Sequence, residues 1–189
     1  MTRRWRQLPN LFSLLRIGLA GALLPVALLH HYALFLAVLA GAFLTDAADG
    51  FLARRLNAMT ELGRRLDSLG DHVLVLTLLP GMFVLWPGFI RHEAVWLALG
   101  VGAYFTPTVW SLLRWRIVPG LHTWGSKTLA VAVSVALPVA LLNGPAMPLR
   151  LVCVLQVLVA AEELAILGRM PGHSGHVPTV WHAGRTGGQ

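Results

Sequence analysis

Six apolar runs of near-membrane length, at about residues 11–29, 32–52, 69–89, 94–113, 125–143 and 147–167, constrain this chain more than any other feature. In hydrocarbon no water is present to satisfy backbone N–H and C=O groups, so each run has to be helical. Six runs use most of the 189 residues, which leaves short connections and no room for a separate soluble domain. With 56% hydrophobic and 12% charged residues, the composition also argues against an ordinary soluble domain. The expected fold is an all-α integral membrane protein of six transmembrane helices. It forms one domain over residues 1–170, followed by a flexible tail at 171–189 rich in Gly, Pro and Ser.

The charges alternate with the spans. Arg3, Arg4 and Arg6 precede the first, Arg54, Arg55, Arg64 and Arg65 lie between the second and third, and Arg114, Arg116 and Lys127 flank the connection between the fourth and fifth. The opposite connections, around His30 and His31, Trp86 to Glu93, and Asn143 to Arg150, carry only Arg91 and Arg150. Positive flanks belong on the cytoplasmic side, so both termini are expected there, in a multi-pass protein of the cytoplasmic (inner) membrane. The net charge of +7 reflects this asymmetry and attraction to anionic lipid, and no basic soluble face suggests a nucleic acid partner. The basic, then apolar, start is read as the first span rather than a cleaved signal, because its removal would spoil the alternation. A single cysteine, Cys153, gives no disulfide framework and no thiolate metal cluster.

Against this background the four aspartates between residues 43 and 71 stand out. Asp46 and Asp49 are three apart, and Asp67 and Asp71 four apart, so each pair shares one face of its helix. The polar segment between them reads as a cytoplasmic turn. Spans 2 and 3 are then expected to be antiparallel neighbours whose carboxylates converge in a polar cavity at the cytoplasmic surface. Carboxylates crowded in a low-dielectric site repel unless their pKa values rise or a positive group sits among them. Ion pairs with Arg54 and Arg55 would satisfy one buried aspartate. For four on two facing helices a bound divalent cation is the better account, and all-oxygen ligands select magnesium or manganese over zinc. Four carboxylates leave room for two ions. Such sites commonly meet phosphate oxygens, because magnesium completes its shell with water and substrate.

Asp46, Asp49, Gly50, Ala53, Arg54, then eight residues, Gly63, Asp67 and Asp71 together resemble the signature of the CDP-alcohol phosphatidyltransferases. Eight identities at fixed offsets, each roughly a one-in-twenty coincidence, make a specific signal. The resemblance implies a compact six-helix membrane enzyme, commonly a homodimer. In its reaction an alcohol hydroxyl attacks the β-phosphorus of a CDP-linked lipid, CDP-diacylglycerol, and releases CMP without a covalent enzyme intermediate. By the same resemblance Asp46, Asp49, Asp67 and Asp71 hold the metals, and Asp71 also acts as the base. Gly50, Arg54, Thr60 and Gly63 take the CDP-lipid. Arg54 suits that role chemically, since a guanidinium forks onto phosphate oxygens.

For the small alcohol acceptor, the segment from Leu8 to Ala20 and the Gly125–Thr128 stretch resemble the bacterial glycerophosphate phosphatidyltransferases, implying glycerol 3-phosphate. Its phosphate needs cations, and Arg16, Arg114 and Lys127 are the candidates. Arg16 is the most pointed, because it falls inside an apolar run where a charge is expensive. Those enzymes often read Asp-Pro-x-Ala-Asp-Lys around the last two aspartates, whereas this chain reads Asp-Ser-Leu-Gly-Asp-His from Asp67, with His72 in place of the usual lysine. Inositol phosphate, another polyol, a lipid alcohol or an amino alcohol therefore stay open. A divalent-cation carrier is the alternative from another class, since intramembrane acids also mark ion pathways, but it gives no role to Arg54 or to the signature spacing.

Overall fold

The computed structural model describes residues 8–55, 61–116 and 123–169, with the side chains of 8–10, 49–55, 61, 62, 64, 65 and 169 outside that description. Among the described residues the chain is all helical: α1 (Leu8–Leu28), α2 (Tyr32–Arg55), α3 (Glu61–Leu85), α4 (Pro87–His92), α5 (Ala94–Trp115), α6 (Trp124–Leu141) and α7 (Met147–Arg169). Five of them, α1, α3, α5, α6 and α7, are long and apolar enough to cross a bilayer. α2 has 24 residues, but its apolar part is Tyr32–Ala48, because the acidic positions near its end close the run. The expected tail from 171 lies outside the described residues.

Two expected boundaries move. The third span is expected at 69–89, but α3 stops at Leu85 and the short α4 starts at Pro87. Proline has no N–H to continue the ladder and pushes the preceding residue, here Trp86, out of the helical region. At its other end α3 reaches back to Glu61, and α2 forward to Arg55, so helix takes up most of the segment read as a turn.

The chain divides into two compact units, Met1–Ile90 and Arg91–Gln189. In the first, α1 packs along both α2 and α3, which themselves meet at only a few residues. The second and third helices touch, as expected of neighbours, but among the described residues each packs more extensively on α1. The buried positions of α1 are Ser13, Arg16, Ala20, Leu23 and Ala27, a three-four alternation that keeps one stripe turned inward. Phe35, Leu39 and Ala42 continue it on α2, and Leu74, Leu78, Met82 and Leu85 on α3. Between helices in lipid the apolar effect supplies little drive, and close van der Waals contact has to do the holding. Small residues serve that purpose: a Cβ on Gly81 would lie 2.7 Å from the Phe35 ring, so α3 and the α2 ring approach only because it is absent. Trp86 closes this end edge-on to Tyr32 and Phe35, with ring centroids 5.2 and 5.6 Å away.

α1 ends in a left-handed cap. His30 has φ 55°, its N–H reaches the Ala27 carbonyl at 2.9 Å, and the His31 N–H reaches that of Val26 at 3.4 Å. The turn reverses the chain into α2, so Arg16 near the start of α1 comes level with Asp46 near the end of α2.

In the second unit α7 packs against α5 and α6. Gly100 of α5 faces Cys153 of α7, where a Cβ would meet the sulfur at 2.9 Å. Glu93, just before α5 and 2% exposed, takes Arg150 Nε at 2.8 Å and Nη2 at 2.7 Å, and its Oε1 lies 2.8 Å from His92 Nδ1. That bidentate pair ties the start of α5 to the start of α7 and holds the Glu93 carboxyl down to about 2, hydrogen bonding from Arg150 outweighing burial. α6 begins on the buried Thr123, whose hydroxyl accepts the Ser126 N–H at 3.1 Å.

Candidate active site

The inward stripe of each helix in the first unit ends in a charge. On α2, Phe35, Leu39 and Ala42 lead by the same spacing to Asp46, and on α3 the stripe begins with Asp67 and Asp71. α1 supplies Arg16 at the matching level. Its guanidinium enters the cluster: Nη1 donates to Asp46 Oδ1 and, at 3.0 Å, to Asp71 Oδ1, while Nη2 donates to Asp67 Oδ1 at 2.6 Å and to the Asp67 carbonyl at 3.2 Å. Arg16 is fully buried, whereas the three carboxylates keep 27% to 42% of their side-chain surface open. A guanidinium removed from water costs several kcal/mol unless opposite charges and hydrogen bonds compensate, so Arg16 and the aspartates each make the other's position tenable.

One oxygen from each of Asp46, Asp67 and Asp71 lies within 4.8 Å of the other two, a group that could hold a metal ion. The donor set fits a hard divalent cation, being all carboxylate oxygen, half-buried and open to one side. Gly70 lies between Asp67 and Asp71 on α3 and is buried; a Cβ there would stand 2.8 Å from Arg16 Nε and 3.3 Å from Cζ. His72 donates from Nδ1 to the Ser68 carbonyl at 2.5 Å, which fixes its ring along its own helix.

Of the residues singled out from the sequence, Arg16, Asp46, Asp67 and Asp71 are brought together. Asp49, Gly50 and Arg54 sit on the last turns of α2, but their side chains lie outside the described residues, as does all of Thr60. Gly63 falls in the first turn of α3, half-buried, rather than in a loop. Arg114 and Lys127 belong to the second unit. Arg114 is exposed near the end of α5, and Lys127 in the first turn of α6 places Nζ 5.8 Å from the centre of the Trp124 ring. Sequence reasoning missed the contact of Gly70 with Arg16 and the Glu93–Arg150 pair. The departure from alanine at position 70 was the available signal for the first. For the second it was a lone acid in a connection with almost no basic residues.

Residues 6–166 match the model of the CDP-alcohol phosphatidyltransferase family. The chain belongs to that family. Relatives of this phosphatidyltransferase include a probable phosphatidylglycerophosphate synthase of Mycobacterium tuberculosis, 32% identical over 156 residues, which are 75% of this chain and 70% of that protein. A CDP-diacylglycerol–glycerol-3-phosphate 3-phosphatidyltransferase of Pseudomonas fluorescens is 31% identical over 155 residues, 74% of each. A cardiolipin synthase (CMP-forming) of Rattus norvegicus is 46% identical over 69 residues, 36% of this chain and only 23% of that protein. No solved structure matches the chain significantly.

Proposed function

We propose that this phosphatidyltransferase moves the phosphatidyl group of CDP-diacylglycerol onto glycerol 3-phosphate, releasing CMP, as a step of phospholipid biosynthesis. The observation that carries this reading is the convergence of Asp46, Asp67 and Asp71, three members of the family signature, on one half-open point. The names of the Mycobacterium and Pseudomonas relatives support the acceptor.

In the reaction the acceptor oxygen bonds to the β-phosphorus, and the bond from that phosphorus to the bridging oxygen breaks. CMP departs with that oxygen, and the hydroxyl proton passes to a carboxylate oxygen of Asp71. A neutral hydroxyl is a poor nucleophile, so a base within reach is required. Asp46, Asp49, Asp67 and Asp71 would hold magnesium or manganese, two ions for four carboxylates. Bound there, such ions supply the positive charge that offsets the pyrophosphate. Gly50, Arg54, Thr60 and Gly63 receive the CDP-lipid, with the Arg54 fork suited to phosphate oxygens. Arg16, Arg114 and Lys127 are the cations assigned to the acceptor's own phosphate.

The membrane setting belongs to the same proposal: six spans, with α2 as the sixth, both termini on the cytoplasmic side of the inner membrane, and the acidic cavity opening there. At 1.5 Å per residue the 24 residues of α2 make about 36 Å, enough to cross even though the acidic end shortens the apolar part. The active form is taken to be a homodimer embedded in lipid, with residues 1–170 as one catalytic domain.

A second reading, a lipid alcohol as acceptor, is favoured by the local similarity to the rat cardiolipin synthase. One experiment separates them. Purified protein in detergent receives CDP-diacylglycerol, magnesium or manganese, and a panel of radiolabelled alcohols that includes glycerol 3-phosphate and phosphatidylglycerol, and CMP is measured with the lipid product. Glycerol 3-phosphate should give both. CMP release with phosphatidylglycerol alone would transfer the assignment to the second reading, and no CMP with any alcohol would sink both.

A further inference from the structure

Arg16 is more than a counter-charge at the rim of the cluster. Its guanidinium donates to one oxygen of each of Asp46, Asp67 and Asp71, and those carboxylates are the group that offers oxygens within 4.8 Å of one another to a cation. A divalent cation at its ordinary distance of about 2.0–2.1 Å from such oxygens would sit among the same three carboxylates that take the guanidinium N–H groups. Two positive groups would then crowd one small volume, where like charges repel strongly.

We infer that Arg16 and a divalent cation are alternative occupants of the carboxylate cluster: loading the cation turns the guanidinium out, and Gly70 is the residue that lets it in. The inference rests on the metal reading of the proposed function and adds a built-in competitor to it. Gly70 carries the second half of the argument. A Cβ at position 70 would stand 2.8 Å from Nε and 3.3 Å from both Cζ and Nη2, so with alanine there the end of the Arg16 side chain has to shift from its present place. The residue is thus a positioning residue for Arg16, at a place where the glycerophosphate enzymes that the motif resembles often carry alanine. The long arginine side chain, rooted in the third turn of α1, can swing out of the cluster towards the N-terminal end of the helix, as buried arginine and lysine stems do near membrane surfaces. Reciprocity then follows: whatever holds Arg16 in the cluster weakens the cation by the same factor that the cation weakens Arg16. The exchange also lets one arginine serve two tasks, counter-ion to the aspartates at one time and a cation for an acidic acceptor at another.

The test uses the full chain in detergent and manganese as the probe. Manganese affinity is read from the free-ion electron paramagnetic resonance signal, and the exposure of Arg16 from modification by phenylglyoxal, followed by mass spectrometry of the peptide that contains it. In the wild-type protein saturating manganese should raise modification of Arg16 about tenfold over the chelator-treated sample. Gly70→Ala, which crowds the guanidinium where it lies but keeps the charge in the protein, should bind manganese about tenfold more tightly, and Arg16→Gln should do the same. If manganese binds the wild type but leaves Arg16 as protected as before, or if both variants bind it equally or more weakly, the exchange is overturned and the metal reading stands. If the wild type and both variants bind no manganese, the metal reading fails and takes the exchange with it. Should a variant not fold, the wild-type modification result decides alone.

Discussion

Asp46 and Asp71 both accept a hydrogen bond from the same Arg16 nitrogen, yet their substitutions should behave differently. Asp71→Asn keeps shape and one ligating oxygen but cannot take a proton at neutral pH, so kcat should fall by about 10²- to 10⁴-fold while CDP-lipid affinity changes less. Asp46→Asn weakens the charge that would hold the ions, so excess magnesium or manganese should restore much of its activity. A metal titration of both variants in the same assay checks this, and equal rescue would reduce Asp71 to another ligand. The aspartates were legible in the sequence because spacings of three and four put each pair on one face, and a carboxylate in an apolar chain needs a reason. Arg16 was legible as an expensive charge, but its destination was not. Its partners lie 30, 51 and 55 residues away, and helical periodicity gives the face a residue occupies without saying which helix lies opposite.

Among the elements, α1 packs along both α2 and α3, a part that sequence reading did not give it. All three helices are visible as apolar runs, but a run that is apolar nearly all round does not say which face turns inward or which helix it meets. The approach at Gly81 is testable. Gly81→Ala would set a Cβ 2.7 Å from Cε2 and 3.2 Å from Cζ of Phe35, and overpacking of this kind costs about 1–3 kcal/mol, measurable as a lower thermal midpoint in detergent. The α5–α7 brace gives a pH dependence. The Glu93 carboxyl titrates at about 2 in the folded chain against an ordinary 4.5. Its contribution to stability is therefore complete above pH 4.5 and is lost as pH falls from there towards 2. Thermal midpoints between those limits should decline more steeply for the wild type than for Glu93→Gln. Parallel curves would show that the brace contributes nothing. The break before α4 was readable from Pro87, whereas the extension of α3 back to Glu61 was not, because the arginines and glutamate of that segment suit a helix as well as a turn.

For the whole molecule the distribution of arginine is the main constraint, and it predicts sidedness. Alkaline phosphatase joined in the connection around Asn143 should be active, since that connection is expected outside the cytoplasm, and the same reporter joined near Arg116 should be silent. The reverse pattern would invert the orientation. Length and hydropathy read six runs in the sequence, whereas five of the described helices are long and apolar enough to cross a bilayer; the remaining one, α2, has its apolar part closed at Ala48 by the acidic end. The buried Arg16 finally has a consequence for how the protein is made. α1 leaves the ribosome before α2 and α3, with a guanidinium inside its apolar window Leu11–Leu28. Asp67 is synthesised 51 residues later. At about 5–20 residues per second that is a wait on the order of several seconds. Through that interval the insertion machinery has to shelter the arginine or leave it at the bilayer surface. If α1 takes its final depth only when the acidic ends of α2 and α3 arrive, membrane entry of these three helices is expected to be a single cooperative event.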